Sequence, residues 1–215
     1  DPVQLNAGDD ATTVKVGQNS RPKKGTQDGV KINLPDKVIT LAEPHSGENM
    51  WYTGADQDWA DSTGWPAFGG AMLDAARSAE PGSDHQLAFL TALCACPVTA
   101  DQGRVLEMLL AAGADEAGLP GLVVDTDLRW TVLTALIAAG AGDAGRIDDE
   151  LAADDTAGGA RRAATARAAR PTVDAKEEAE ALLLATGDDS PTNAIVRATL
   201  LGVDLPGQAH LLAGI

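Results

Sequence analysis

The side chains of this sequence able to bind a metal or move a proton are three histidines, two cysteines and a few clustered carboxylates and arginines. A helical zinc site of the hydrolase kind needs His-Glu-x-x-His, two imidazoles on one helix face with a glutamate base between them. His45, His85 and His210 are widely separated, and none has that context. Cys94 and Cys96 have one residue between them, too close for an unstrained disulfide. No other Cys or nearby His completes a zinc set, so both are expected as buried free thiols.

The remaining candidates carry plain structural readings. Gly47-Glu48-Asn49-Met50 has the residue types of an exopeptidase Gly-x-Met-x-Asn strand in the wrong order. A Gly-x-Ser-x-Gly elbow, a P-loop and a Gly-x-Gly-x-x-Gly dinucleotide loop are read as absent. Asp148-Asp149-Glu150 and Asp154-Asp155 could suggest calcium but lack the turn glycine and spaced ligands of a calcium loop. They are expected as first-turn and cap carboxylates favoured by the helix dipole. Arg161, Arg162, Arg167 and Arg170 can grip a substrate carboxylate; the preferred reading is a charged face paired with the acidic residues just before it. No catalytic, cofactor-binding or metal-binding residue is assigned.

These side chains sit on elements of two kinds. Up to about Ser62 the chain reads as strands and turns. Val14-Lys15-Val16, Val30–Leu34 and Lys37–Leu41 alternate in polarity, with turn formers such as Asp28-Gly29 and Pro35-Asp36 between them. Met50-Trp51-Tyr52 and Trp59 form an aromatic cluster, expected as the core of a small β module, with a carbohydrate- or peptide-binding platform as the alternative.

From Pro66 onward the spacing predicts helices. Pro66 suits the first position of a helix containing Phe68, Met72, Leu73 and Ala76, broken by Pro81-Gly82. Ser83 with Gln86 and Thr99 with Gln102 read as capping boxes, opening helices lined by Leu87, Leu90 and Leu93 and by Val105, Leu106, Leu109 and Leu110. A linker, Ala114–Gly121, leads to the helix Asp127–Gly140. Its Leu128, Val132, Leu133, Leu136 and Ile137 fall on one stripe, with Asp125 and Thr126 as cap candidates and Gly140 as the stop. Further helices fit Arg146–Ala153 with Ile147 and Leu151 inward, Thr156–Ala169 with alanine rows, and Val173–Ala185 capped by Thr172. The next starts at Ser190-Pro191 and carries Ile195, Val196, Thr199 and Leu200; Leu205–Ile215 begins a last turn or two. The fold class expected is mainly α, an αα-superhelical or irregular helical stack, with a small β-rich N-terminal segment. The domains expected are 1–62 and 63–215.

Composition bounds the function classes. The chain has 215 residues, a formal net charge of −16, 44% hydrophobic residues and only 3% aromatics. A core rich in alanine and leucine suits close helix packing better than a sandwich. The acidity argues against nucleic acid and against an anionic membrane surface, which need clustered Lys and Arg. Leu87–Val98 is too short to span a bilayer, and no signal peptide is visible.

Three separated motifs, Pro81-Gly82-Ser83-Asp84-His85-Gln86-Leu87, Leu122–Trp130 and Ala166–Thr172, occur in an order that resembles the C-terminal helical domain of actinobacterial aminopeptidase N. That family comprises zinc aminopeptidases of the gluzincin class, and the helical domain is also found in endoplasmic-reticulum aminopeptidases. The resemblance covers about 64–215. It implies a helical bowl that closes over a catalytic domain and restricts access to peptides. By the same resemblance, the zinc motif, the Gly-x-Met-x-Asn strand and the catalytic tyrosine belong to other parts of the enzyme, and further helices follow the position of Ile215. Gly29–Asp61 is similar to the β-rich region downstream of the catalytic domain in secreted immune inhibitor A-type metalloproteases, again without its zinc site.

Together the resemblances imply the non-catalytic portion of a zinc metallopeptidase, joined near Ser62 from two families, with no cofactor of its own. The partners implied are a peptide or a catalytic peptidase domain, with self-association through an uncovered apolar face and no nucleic acid or membrane. The helical part points to the cytoplasm and the N-terminal part to secretion. A stand-alone helical interaction module is the alternative.

Overall fold

The computed structural model describes the backbone of residues 3–5, 12–14, 30–34 and 37–41, and residues 59–187 and 190–212 in full. The chain divides into two compact units, Asp1–Ala60 and Asp61–Ile215. In the first, β1 (Val3–Leu5) pairs antiparallel with β2 (Thr12–Val14). β3 (Val30–Leu34) pairs antiparallel with β4 (Lys37–Leu41), Val30 opposite Leu41 and Leu34 opposite Lys37. Pro35 and Asp36, read from the sequence as turn formers, lie outside the described residues. Of the strand expected at Val14–Val16, Val14 ends β2, while Lys15 and Val16 lie outside the described residues; β1 had no counterpart in the sequence reading. His45, Gly47–Met50, Trp51 and Tyr52 lie outside the described residues.

The second unit is mainly α. A π-helical turn, Ala60–Gly64, runs into α1 (Trp65–Ser78). There follow α2 (Asp84–Cys94), α3 (Ala100–Ala111), α4 (Thr126–Ala138), α5 (Ala144–Ala153), α6 (Ala157–Ala168), α7 (Val173–Leu184) and α8 (Asn193–Val203), then a 3-10 turn at Ala209–Leu211. The even helices form a row, α2 against α4, α4 against α6 and α6 against α8, while α1 and α3 touch on the other layer and α5 and α7 pack on α6. This two-layered alternation is the expected αα stack.

α4 sits where two cores meet. On one side Leu128, Val132 and Leu136 join Leu90, Leu93, Leu106 and Leu109. On the other, Trp130, Leu133 and Ile137 meet Ile147, Ala163 and Ala166. The single stripe expected for this helix is therefore too narrow, because a helix at the centre of a stack has neighbours on nearly every side. Other expectations fail at the margins. Phe68, Leu87 and Leu200 are exposed rather than lining the core. Ala114–Gly121 is a turn with Leu119 fully buried. The last long helix begins at Asn193, with the Thr192 hydroxyl rather than Ser190 accepting the Ile195 N–H.

Candidate functional site

The even row presents two adjoining depressions that share Arg162 and Thr165 and together form a trough. Its first stretch, about 290 Å³, is lined by Thr91 and Cys94 of α2, Asp127, Thr131 and Thr134 of α4, and Arg162 and Thr165 of α6. Arg162 and Thr165 also line the second stretch, about 610 Å³, between α6 and α8, where Arg161, Asn193, Arg197 and Leu201 complete the wall.

The walls are held by packing and by short polar ties. The Thr165 hydroxyl donates across the α6–α8 crossing to Ala198 O at 2.8 Å. A Cβ on Gly202 would stand 2.1 Å from Thr165 O, so the helices approach closely only because that residue is glycine. Arg162 is fixed by Asp127 and, at 3.5 Å, by Asp154. Thus one of the four arginines singled out in the sequence is anchored from α4 as well as by the acid just before its helix. Arg167 pairs with Asp148 at 2.7 Å, as expected, but Arg170 turns forward to Glu178. The Arg161 guanidinium has no ion-pair or hydrogen-bond partner among the described residues.

The carboxylates expected in first turns lie elsewhere. Asp148, Asp149 and Glu150 are in the middle of α5, where Asp148 and Glu150 pair across helices rather than neutralise the dipole. Glu150 accepts two bonds from Arg129, at 2.8 and 2.7 Å, and the contact raises the guanidinium pKa. Asp154 caps the C-terminal end of α5, while Thr156 caps the N-terminus of α6.

The three motifs are clasps. Gln86, fully buried, accepts the Gly82 N–H at 2.9 Å and donates to Pro120 O, locking the 81–86 turn onto the 119–121 turn. That reach to Gly82 replaces the reciprocal bond of the expected capping box; the Thr99–Gln102 box is complete. Asp125, not Thr126, caps α4. In the third motif the carbonyls of Ala168 and Ala169 receive the two buried polar side chains that sequence reading missed. Lys176 Nζ donates to Ala168 O at 2.7 Å and Gly202 O at 3.2 Å. Gln208 Nε2 donates to Ala169 O at 2.9 Å and Ala138 O at 3.1 Å. Burial lowers the Lys176 pKa to about 8 against the pull of Asp204. Nothing in the spacing marks Lys176, because its partners are backbone atoms from other helices.

The donor set does not fit zinc. His85 is exposed and stacks on Phe89, His210 is exposed, and among the described residues no three His, Cys, Asp or Glu side chains gather to hold a metal. Cys94 and Cys96 are free and half-buried; burial, with Cys96 alongside, pushes the Cys94 thiol up to about 12. The Gly-x-Gly-x-x-Gly spacing read as absent does occur, at Gly140-Ala141-Gly142-Asp143-Ala144-Gly145, but it joins helix to helix rather than strand to helix. Among the described residues no helix is long and apolar enough to cross a membrane.

Comparison with known proteins agrees with a helical module. Aminopeptidase N of Streptomyces lividans is 42% identical over 143 residues, 66% of this chain and 16% of that relative's length. The chain thus spans a small part of the curated relative it matches. Residues 51–213 match the family described as ERAP1-like C-terminal domain. With three-quarters of its length inside that match, the chain belongs to the ERAP1-like C-terminal domain family.

Proposed function

We propose that the helical unit is the substrate-enclosing, non-catalytic domain of a zinc aminopeptidase, its trough facing the peptide while a separate catalytic domain supplies the metal and the hydrolytic groups. The observation that carries this reading is the pair of adjoining depressions along α2, α4, α6 and α8, sharing Arg162 and Thr165, in a chain of this family. Its walls carry guanidinium, hydroxyl, amide and apolar groups suited to an extended peptide, and none of the described residues has the surroundings of a nucleophile or a metal ligand. The partners are accordingly a peptide and a catalytic peptidase domain. A derivation of the N-terminal segment from immune inhibitor A-type metalloproteases, joined near Ser62, rests on the likeness of Gly29–Asp61 alone.

The test is reconstitution. The chain is mixed with an aminopeptidase catalytic domain lacking its helical part, and association and turnover of long and short peptides are measured. Association with a changed length preference is expected; no association overturns the proposal. A second reading, a stand-alone interaction module that also self-associates, is favoured by Leu184 and Leu201, both 70% exposed. Binding to an unrelated protein but not to the catalytic domain would select it.

A further inference from the structure

The trough is charged against the grain of the chain. In a molecule of net charge −16, its α6–α8 stretch carries Arg161, Arg162 and Arg197 and no carboxylate in its lining. Arg162 is committed to Asp127 and Asp154. The guanidinium groups of Arg161 and Arg197, like that of Arg77, are exposed and have no hydrogen-bond or ion-pair partner among the described residues, whereas those of Arg104, Arg129, Arg146, Arg167 and Arg170 are all paired; Arg161 and Arg197 are the two open ones that line the same depression. Two open guanidinium groups on adjacent helices repel one another unless an anion lies between or beside them.

The helices that carry them are held at a fixed crossing by the Thr165–Ala198 bond and the close approach at Gly202. A ligand that bridges them has to order only the two side chains and not the helices. Along α8, Ala194, Arg197, Ala198 and Leu201 recur at three- and four-residue steps, so an apolar strip ending in the exposed Leu201 runs beside the charge. We infer that the α6–α8 stretch of the trough binds an acidic side chain of a peptide, with an apolar residue of the same peptide on Leu201; this rests on the enclosure reading above and names the peptide class it selects. Arginine suits the task because its planar fork meets a carboxylate with two parallel bonds.

The test uses the full chain and short fluorescent peptides containing Glu-Leu or Gln-Leu, each with a free or amidated C-terminus, read by anisotropy. The Glu peptides are expected to bind about tenfold more tightly than the Gln peptides at low salt, whatever their C-terminus. The preference should shrink as salt rises. The double variant Arg161→Ala/Arg197→Ala should abolish it, while Arg77→Glu, the same total charge change at another exposed arginine, should leave it intact; circular dichroism checks the fold of each. Equal binding of Glu and Gln peptides, or equal loss in Arg77→Glu, overturns the inference and leaves enclosure standing. A preference that vanishes on amidation assigns the site to a terminal carboxylate and overturns the side-chain assignment. Binding of no peptide at all overturns both.

Discussion

Trp130 and Asp154, 24 residues apart, meet through one hydrogen bond, the indole Nε1 donating to Oδ2 at 2.9 Å. The same carboxylate accepts the Thr156 hydroxyl at 2.8 Å and faces Arg162, so it ties the centre of α4 to the α5–α6 turn. The indole, 2% exposed, fills the second core. Trp130→Ala is expected to cost about 3–5 kcal/mol through the cavity it opens, measured by denaturant unfolding. The Thr156 hydroxyl, then Trp130 and Arg162, hold the Asp154 carboxyl below its ordinary 3.8. A lowered carboxylate pKa means the stabilisation is complete above the unfolded value and is lost as pH falls through the folded one. Acid titration of stability should therefore be shallower in Asp154→Asn than in the parent.

Lys176 gives the opposite pH response. Its folded pKa is about 8 and its ordinary value 10.5, so between these the unfolded chain holds a proton that the folded chain has shed. Stability from this group therefore rises with pH across that window. Melting curves taken through it should show the rise in the parent and not in Lys176→Met. A parent indistinguishable from Lys176→Met would contradict the assignment.

Two glycines separate close approach from idle flexibility. Gly202→Ala should cost about 3 kcal/mol, because its Cβ would meet Thr165 O, a backbone atom that cannot swing aside. Gly70, inside α1 with nothing within 4 Å of a built Cβ, should gain about 0.5–1 kcal/mol on replacement by Ala. Chemical denaturation of both variants checks the pair; similar signs would place the α6–α8 crossing elsewhere.

The thiols should be unreactive. Burial raises the pKa of both Cys94 and Cys96, so little thiolate exists at neutral pH. Alkylation near pH 7.5 is expected to be slow in the folded chain and fast in denaturant, followed by intact mass. Rapid modification of Cys94 without unfolding would refute its placement.

How much was legible depended on whether a residue's partner was near it in sequence. Caps read correctly where the accepting side chain and the donating N–H are three residues apart, as at Thr99, Asp125 and Thr172. The hairpin Val30–Leu41 was legible for the same reason. Misreadings followed long-range choices. Asp148 and Glu150 have the type expected of first-turn residues, but distant arginines and the true start of α5 at Ala144 decide their role. The trough itself is invisible in the chain order, since Thr91, Asp127, Arg162 and Arg197 lie on four different helices.

The amino-acid order by itself determined the mainly helical class, most helix limits and the motifs that match the family, because hydrophobic periodicity, capping and Gly or Pro stops act within a turn or two of chain. Only the tertiary structure decided that α4 is enclosed by two cores, that Lys176 and Gln208 close the ends of distant helices, and that Arg161 and Arg197 stand open in one groove. Those outcomes depend on which helices become neighbours, and that is set by the packing of the whole stack rather than by any local run of residues.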